Sequence, residues 1–391
     1  MHNKWGVERH SSYINLETRE TAQTLTLNTK TDRDVWDVLV IGGGGAGTAC
    51  ASEAARLGLS VVMLQGERGG AGAAGANAGF LLCGGSLFYH EAERAWGVER
   101  TRRVWDLTKQ EIESQRLRFK DVIKLTGSYR TAGDDPESGE GDDIKAQFAA
   151  MTRAGIEVQM CHIGGVEALR VADDGWCDPV ERLAYGWREI LSRGGAIETT
   201  SSVSWRKLGG VWVVTDGDRE WRCEQLVVAS DGHLDNQIPA LRGKIETHRL
   251  QMLRASKPGL FMDEPTYMRW GYDYGINHLG RLHLGGERDR FADEERGDKW
   301  GGRCDTSAKV QESLETLAEK LCGEKCEIEW RWAAPVGYTK SGLPLAGEIE
   351  SNLWVTGGYN GHGNLLSWIL GREIAGAMTG VNGDLLSEIG I

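Results

Sequence analysis

Gly42-x-Gly44-x-x-Gly47, set in IGGGGAGTAC, is the strongest chemical signal in the chain. Gly42 lets the backbone turn sharply out of a strand, Gly44 lets it approach a pyrophosphate, and Gly47 lets helix and strand pack closely. The helix that follows offers free N–H groups and partial positive charge to phosphates. At the end of the next strand an acidic residue ordinarily accepts from the adenosine ribose. This chain has Gln65 there. An amide still accepts one hydrogen bond but forgoes the charge-assisted one, a loss of about 1 kcal/mol. Glu67 lies close enough to substitute. An uncharged residue also tolerates a 2′-phosphate, so the motif alone admits NAD, NADP or FAD.

A second glycine-spaced run, Gly358-Tyr359-Asn360-Gly361-His362-Gly363-Asn364, stands just before the last helix expected from the sequence. His362 is a turn histidine or a pocket side chain with equal warrant. Tyr272 and Tyr274 fall on one face if their segment is a strand, which makes both candidates for a pocket wall. Tyr267, Trp270, Trp330 and Trp332 lie in segments that reach the same region. The eight cysteines form no CxxC pair, and Cys322-x-x-x-Cys326 has no histidine nearby, so they read as reduced thiols and no metal site is expected.

The elements that must hold these residues are legible in outline. Val35–Ile41 is a short apolar run ending in glycines, the profile of a buried parallel strand. Ala46–Leu57 reads as a helix closed by Gly58, and Ser60–Leu64 as a second strand, which together make a βαβ unit. The glycine-rich segment 66–80 then reads as chain folded tightly over a ligand. Residues 91–117 read as a long surface helix broken near Gly97, and 133–143 as a solvated acidic loop. Asp178–Leu191 and Ser307–Leu321 read as helices, Trp205–Val214 and Glu220–Val228 as hairpin strands, and 258–290 as aromatic strands. Strand Asn352–Thr356 and a helix over 364–378 close the chain. βαβ first, antiparallel segments next and a late strand–loop–helix imply two interleaved domains.

The formal charge of −12 argues against nucleic acid or an anionic membrane as main partner. Nothing in the first 34 residues resembles a signal sequence, and no apolar run is long enough to span a membrane. The sequence-based expectation is a cytoplasmic protein.

Two distant segments carry a family resemblance. GAAGANAGF (Gly72–Phe80) and Trp332–Ala375, with its Thr339-Lys340-Ser341-Gly342 element and G-H-G loop, resemble the D-amino-acid oxidase superfamily, the glycine oxidase/sarcosine oxidase group. Leu226–Gly232 (LVVASDG) and His278–Asp289 (HLGRLHLGGERD) are similar to the middle of that family. The N-terminal SSYINLE is similar to arms on its gamma-glutamylputrescine oxidase branch. The resemblance implies an α/β fold: a discontinuous Rossmann-like FAD-binding domain interleaved with an α+β substrate domain on an antiparallel sheet. It implies an arm over 1–34, FAD-binding parts over 35–118, 176–245 and 331–391, and substrate parts over 119–175 and 246–330.

By the same resemblance the cofactor is FAD. Gly42, Gly44, Gly47 and Gln65 would face its ADP half, and Val203 its adenine. Ala73, Ala74, Gly75, Ala76 and Asn77 would cradle the flavin side, and residues 358–364 the pyrimidine end. The implied activity is oxidation of the C–N bond of a small amine or amino-acid-derived substrate, by hydride transfer to flavin N5 to give an imine. Electrons would pass to oxygen or a quinone. Oxidation of a C–OH bond or of a heterocycle, and flavin binding without catalysis, stand as alternatives. The family's carboxylate-gripping arginine is replaced by Val336 and the usual Asp by Ser341, so the expected substrate lacks a carboxylate on its reacting carbon, unless Arg249, Arg269 or Arg331 compensates. Covalent attachment of the flavin is left open by the sequence: Cys83 and Cys304 are the candidate thiols, and each is expected to be unattached.

Overall fold

The computed structural model describes residues 33–66, 72–119, 121–133, 137–297 and 305–389. Glu67, Cys304, SSYINLE and nearly all of the 1–34 arm lie outside the described residues.

Trp36–Ile41 (WDVLVI) is apolar apart from Asp37, which accepts from Ser60, because both of its faces are covered, and it sits at the centre of an eight-stranded sheet. It pairs in parallel with Val61–Gly66 on one side and with Arg219–Val228 on the other, and Ala196–Thr200 extends the sheet beyond Val61–Gly66. Arg219–Val228 has two roles. Its first half closes an antiparallel meander with Val211–Asp216 and Ser204–Leu208. Its second half is parallel to both Trp36–Ile41 and Leu353–Gly357. Helices Gly45–Arg56, Pro179–Ser192 and Gly363–Ala377 pack together, burying small residues of the first against Trp187 and Trp368. Asp178 caps Pro179–Ser192 by accepting from the Val180 and Glu181 amides, each at 2.9 Å, and the proline sits in the first turn where its missing N–H costs nothing.

A second eight-stranded sheet runs Ile328–Tyr338, Glu246–Ala255, Arg281–Gly286, Asp273–His278, Thr266–Met268, Ser128–Thr131, Val166–Val171 and Val158–Ile163. Every pairing is antiparallel except that of Thr266–Met268 with Ser128–Thr131. Phe80–Leu81, Gly175–Cys177 and Ile123–Lys124 form a small third sheet.

Three local expectations change. Ile328–Tyr338 belongs to the second sheet over its whole length, so the break expected at 330/331 falls inside a strand. The 91–117 stretch is two helices, Tyr89–Trp96 and Val98–Arg118, with Gly97 between them at φ 86°, and the longer one buries Val104, Trp105 and Ile112 rather than lying on the surface. The acidic run over 133–143 is not all solvated loop, since helix Glu140–Arg153 begins within it. Glu140 is buried and its carboxylate accepts from the Gly133 and Trp270 amides. Local charge density reads as solvation, and only the tertiary fold supplies those two donors.

Candidate active site

A continuous cavity of about 1120 Å³ runs between the first sheet's glycine turn and the inner face of the second sheet. That exceeds the 300–1,000 Å³ usual for one small ligand. Gly42, Gly44 and Gln65 line one end. Ala73, Ala74, Gly75, Ala76 and Asn77 line its length, together with Tyr359, Asn360, Gly361, His362, Gly363 and Asn364. Tyr272 and Tyr274 line the far end. Gly47, Val203 and Gly358 are not among the lining residues. Gly47 is instead pressed against the preceding turn, where a Cβ would fall 1.8 Å from the Gly42 oxygen. Val203 packs against the apolar layer beside the meander.

The turn is set by contacts only glycine permits. Gly42 has φ 108° and donates to the Leu64 carbonyl at 2.8 Å, and a Cβ on it would meet the Ala229 oxygen at 2.4 Å. Gln65 is buried over Gly43, and its Nε2 has no partner among the described residues. An amide N–H₂ buried without an acceptor is costly unless a ligand supplies one. The later loop is held from beneath by Asp231, whose carboxylate accepts from the amides of Gly337 (3.1 Å), Gly358 (2.8 Å) and Tyr359 (3.4 Å). Burial raises the Asp231 pKa, and these amides oppose the rise. Asn364 bridges the two glycine-rich segments, donating to Asn77 Oδ1 at 2.9 Å and to the Phe80 carbonyl at 2.8 Å.

The far end is built by strand register. Arg130 pairs with Tyr267, Tyr267 with Tyr274, Tyr274 with Gly285, Gly285 with Met252, and Met252 with Trp332. Partners opposite one another share a face, so these six positions form one row across the second sheet. Arg130, Tyr267, Tyr274 and Met252 of that row line the cavity, while the Trp332 indole donates to the Ala76 carbonyl at 2.9 Å. Phe80 meets Tyr267 and Tyr274 at ring-centroid distances of 5.6 and 6.2 Å, and His362 lies 6.3 Å from Tyr267. Burial raises the pKa of both phenols, so both stay protonated, and neither hydroxyl hydrogen-bonds a described residue. Desolvation pushes His362 down to about 4, so its ring is neutral at neutral pH. With the Asn360 carbonyl 3.3 Å from Nδ1, that nitrogen carries the hydrogen and Nε2 the lone pair.

Gly285 makes the row possible. A Cβ there would lie 2.6 Å from Tyr274 Cζ, so the ring lies flat over the glycine. Gly285→Ala is expected to push that ring into the cavity or off its rotamer, at about 1–3 kcal/mol. A thermal-unfolding midpoint equal to the parent's would refute this packing.

Alternation from Tyr272 does not hold. The strand begins at Asp273, and Tyr272 is helical (φ −68°) at the end of a left-handed turn formed by Arg269, Trp270 and Gly271 (φ 48°, 54° and 81°). Tyr272 reaches the cavity from that turn. Trp270 lines the cavity, whereas Trp330 and Trp332 do not. The three arginines considered for carboxylate binding are engaged elsewhere: Arg249 with Glu295, Arg269 with Asp273 and Asp289, and Arg331 with Glu315. Other arginines line the cavity instead, Arg130 and Arg288 among them. Arg130 is buried 3.7 Å from fully buried Asp174, and its Nη1 has no partner among the described residues. Arg288 stacks on Tyr272 and Tyr338 at 5.1 and 4.6 Å. Neither was legible in sequence, because Arg130 stands on a four-residue strand whose parallel partner lies more than 130 residues further along the chain. The acidic lining residues are Glu91, which accepts from the Phe88 amide, and Asp231. Cys83 also lines the cavity, but burial and Asp174 raise its pKa well above the ordinary value, which disfavours the thiolate needed for attachment. No cluster of three or more metal-ligating side chains occurs among the described residues, and no described helix is long and apolar enough to cross a membrane.

Comparison with known proteins bears directly on this geometry. The sequence model of the family described as FAD dependent oxidoreductase matches residues 37–377. Gamma-glutamylputrescine oxidoreductase of Escherichia coli is 26% identical over 399 residues, spanning 95% of this chain and 90% of the relative. Glycine oxidase from Geobacillus kaustophilus superposes with a TM-score of 0.73 at 20% identity, covering 91% of this chain and 98% of that one. L-proline dehydrogenase from P. horikoshii gives 0.71 at 17% identity, covering 90% and 95%.

Proposed function

The chain belongs to the FAD dependent oxidoreductase family, and from that premise we propose that it oxidises the C–N bond of a small amine that also carries an anionic group. The cavity fits FAD: glycine walls that a Cβ would fill, an orphaned Gln65 amide at one end, and room for a long cofactor plus a substrate. Gly42, Gly44 and Gln65 would hold the ADP half, with Gly47 setting the turn. Ala73–Asn77 and the 358–364 loop would hold the flavin half. Val203, away from the cavity lining, is given no part. In the same reading the first sheet and its helices make the cofactor part and the second sheet the substrate part. When bound, FAD would supply a two-electron acceptor at N5 for the hydride of the carbon bearing nitrogen, and the substrate would leave as an imine open to hydrolysis.

The chain's own residues bind, orient and exclude water. Phe80, Tyr267 and Tyr274 form an apolar wall with hydroxyls at its rim, against which a neutral amine lies. Three of the four carboxylate oxygens in the lining already accept from backbone amides, which favours the neutral form. Neutral His362 offers its Nε2 lone pair to an N–H of the substrate and so turns the nitrogen lone pair toward the reacting carbon. Tyr272 borders the pocket from the turn and carries Arg288 against its ring.

The observation that carries this reading is the Arg130–Tyr267–Tyr274 row. It puts a buried, incompletely satisfied guanidinium beside an aromatic wall. It also revises the substrate expected from Val336: arginines do reach the pocket, from other strands. Anaerobic mixing of the purified flavoprotein with amines, amino acids and hydroxy acids tests it. Bleaching of the flavin absorbance is expected with amines bearing a carboxylate. Bleaching by hydroxy acids alone would overturn the proposal.

A further inference from the structure

Arg182 is buried (1% exposed) within the core of the molecule, yet its partners are all neutral. Nη1 donates to the Asn364 carbonyl at 2.8 Å and to Gln115 Oε1 at 3.4 Å, and Nη2 donates to Asn364 Oδ1 at 2.7 Å. Its Nε has no partner, and the guanidinium lies over the Trp368 ring at 5.4 Å. Among the described residues no carboxylate pairs with it. The buried Glu111 is one step away, bonded to Gln115 Nε2 at 2.9 Å, but Arg372 already pairs with it at 2.7 Å. Asp178, one turn earlier on the same helix, is committed to capping amides. A buried guanidinium without a counter-ion costs several kcal/mol. Such a charge persists where it serves a ligand's charge.

Arg182 also lines the cavity, and its location there is specific. Through Asn364 it touches the first turn of Gly363–Ala377, whose free amides already carry partial positive charge. The same Asn364 side chain bonds the Phe80 carbonyl and Asn77, and the Phe80 ring belongs to the aromatic wall. The charge therefore stands where the Asn77–Phe80 segment meets the first turn of Gly363–Ala377, with the Trp368 ring beneath it reaching toward Gly45.

We infer that Arg182 is a positioning residue for the redox chemistry: it adds an unpaired positive charge behind the N-terminus of Gly363–Ala377 and so raises the reduction potential of the bound flavin. The inference rests on FAD occupying this cavity. Reduction adds electrons to the flavin, and a fixed positive charge in a low-dielectric surrounding favours the more negative, reduced form. Asn364 couples the side chain to the helix end, so the charge and the helix amides act on the same region.

The test is the two-electron midpoint potential of the purified flavoprotein, measured by equilibration with a reference dye, alongside the FAD dissociation constant. Arg182→Gln is expected to shift the dye equilibrium at least tenfold toward oxidised flavin, about 30 mV lower for a two-electron couple. Arg182→Lys is expected to stay within threefold of the parent. Gln115→Glu leaves Arg182 in place and sets a carboxylate between it and Glu111, with a guanidinium on either side. It is expected to lower the potential too, and it serves if Arg182→Gln does not fold. An unchanged potential in Arg182→Gln, or in Gln115→Glu where only that protein folds, overturns the inference even if FAD binding weakens; weakening alone would put the charge at the phosphates or make it structural. A parent protein that neither carries nor binds FAD would remove both this inference and the reading beneath it, and that result shows before any variant is made.

Discussion

A Gly47→Ala protein is expected to purify without bound flavin and to unfold well below the parent. The added methyl would lie 1.8 Å from the Gly42 carbonyl oxygen and 3.1 Å from Val40 Cγ1. Neither neighbour can withdraw. Gly42 is held by its bond to Leu64 and by φ 108°, and Val40 is fully buried in the central strand. Relief requires lifting helix Gly45–Arg56 off the sheet, and overpacking of this kind costs about 1–3 kcal/mol or more. That helix also presents its N-terminus to the cavity, so the displacement reaches the amides proposed to bind phosphate. Gly141→Ala is the control, since a Cβ there meets nothing within 4 Å and the residue is not part of the cavity lining. Flavin absorbance per polypeptide and the thermal midpoint read the result. A Gly47→Ala protein with full flavin content and an unchanged midpoint would remove the role given to the turn.

Removal of the Arg130 charge is expected to be the most damaging single change to substrate use. If Nη1 meets a substrate carboxylate, truncation costs the 2–5 kcal/mol typical of a buried, hydrogen-bonded charge pair, roughly a 30- to several-thousand-fold loss in kcat/KM. Arg130→Gln alone has a second effect, because Asp174 is fully buried and depends on that guanidinium. Desolvation raises the Asp174 pKa, while Arg130 and the bonds from Ser128 (2.6 Å) and the Cys83 amide (2.8 Å) oppose the rise. The double change Arg130→Gln with Asp174→Asn removes both charges, and it is expected to recover stability while remaining defective with carboxylate-bearing amines. The loss should be far smaller for an amine without an acid group. Equal losses on both substrate types would assign Arg130 to structure alone.

Much of the glycine-lined end of the cavity was legible in sequence, and the reason is local. Strand, turn and helix around Gly42–Gly47 are contiguous, and each glycine answers a steric demand within a few residues. The 72–77 and 358–364 segments were legible as a pair only through family resemblance, because nothing local says that Asn364 reaches Asn77. The substrate side was hidden by pairing. The row Arg130–Tyr267–Tyr274–Gly285–Met252–Trp332 draws on six strands, and its register is a tertiary fact. Tyr272 was misassigned to a strand because alternation cannot reveal three successive left-handed residues. Their backbone is held by Glu140, and their side chains are tied to Asp143, Asp273 and Asp289. Glu140 and Arg182 show the same limit for buried charge, since a composition-based reading assigns such residues to the surface.

The middle of the first sheet has a consequence for how the protein comes into being. Trp36–Ile41, Arg219–Val228 and Leu353–Gly357 lie side by side, although their sequence separations span most of the chain. During synthesis the first strand gains Val61–Gly66 early, but its other neighbour is made nearly 190 residues later, and Gly363–Ala377 docks on Gly45–Arg56 only after a long intervening stretch has been made. Contacts this distant fold slowly, and they leave apolar strand edges unpaired meanwhile. The glycine turn therefore becomes part of a closed cavity only after Gly363–Ala377 has been made. A ligand that binds the completed cavity would then favour the finished fold over partly paired, aggregation-prone forms.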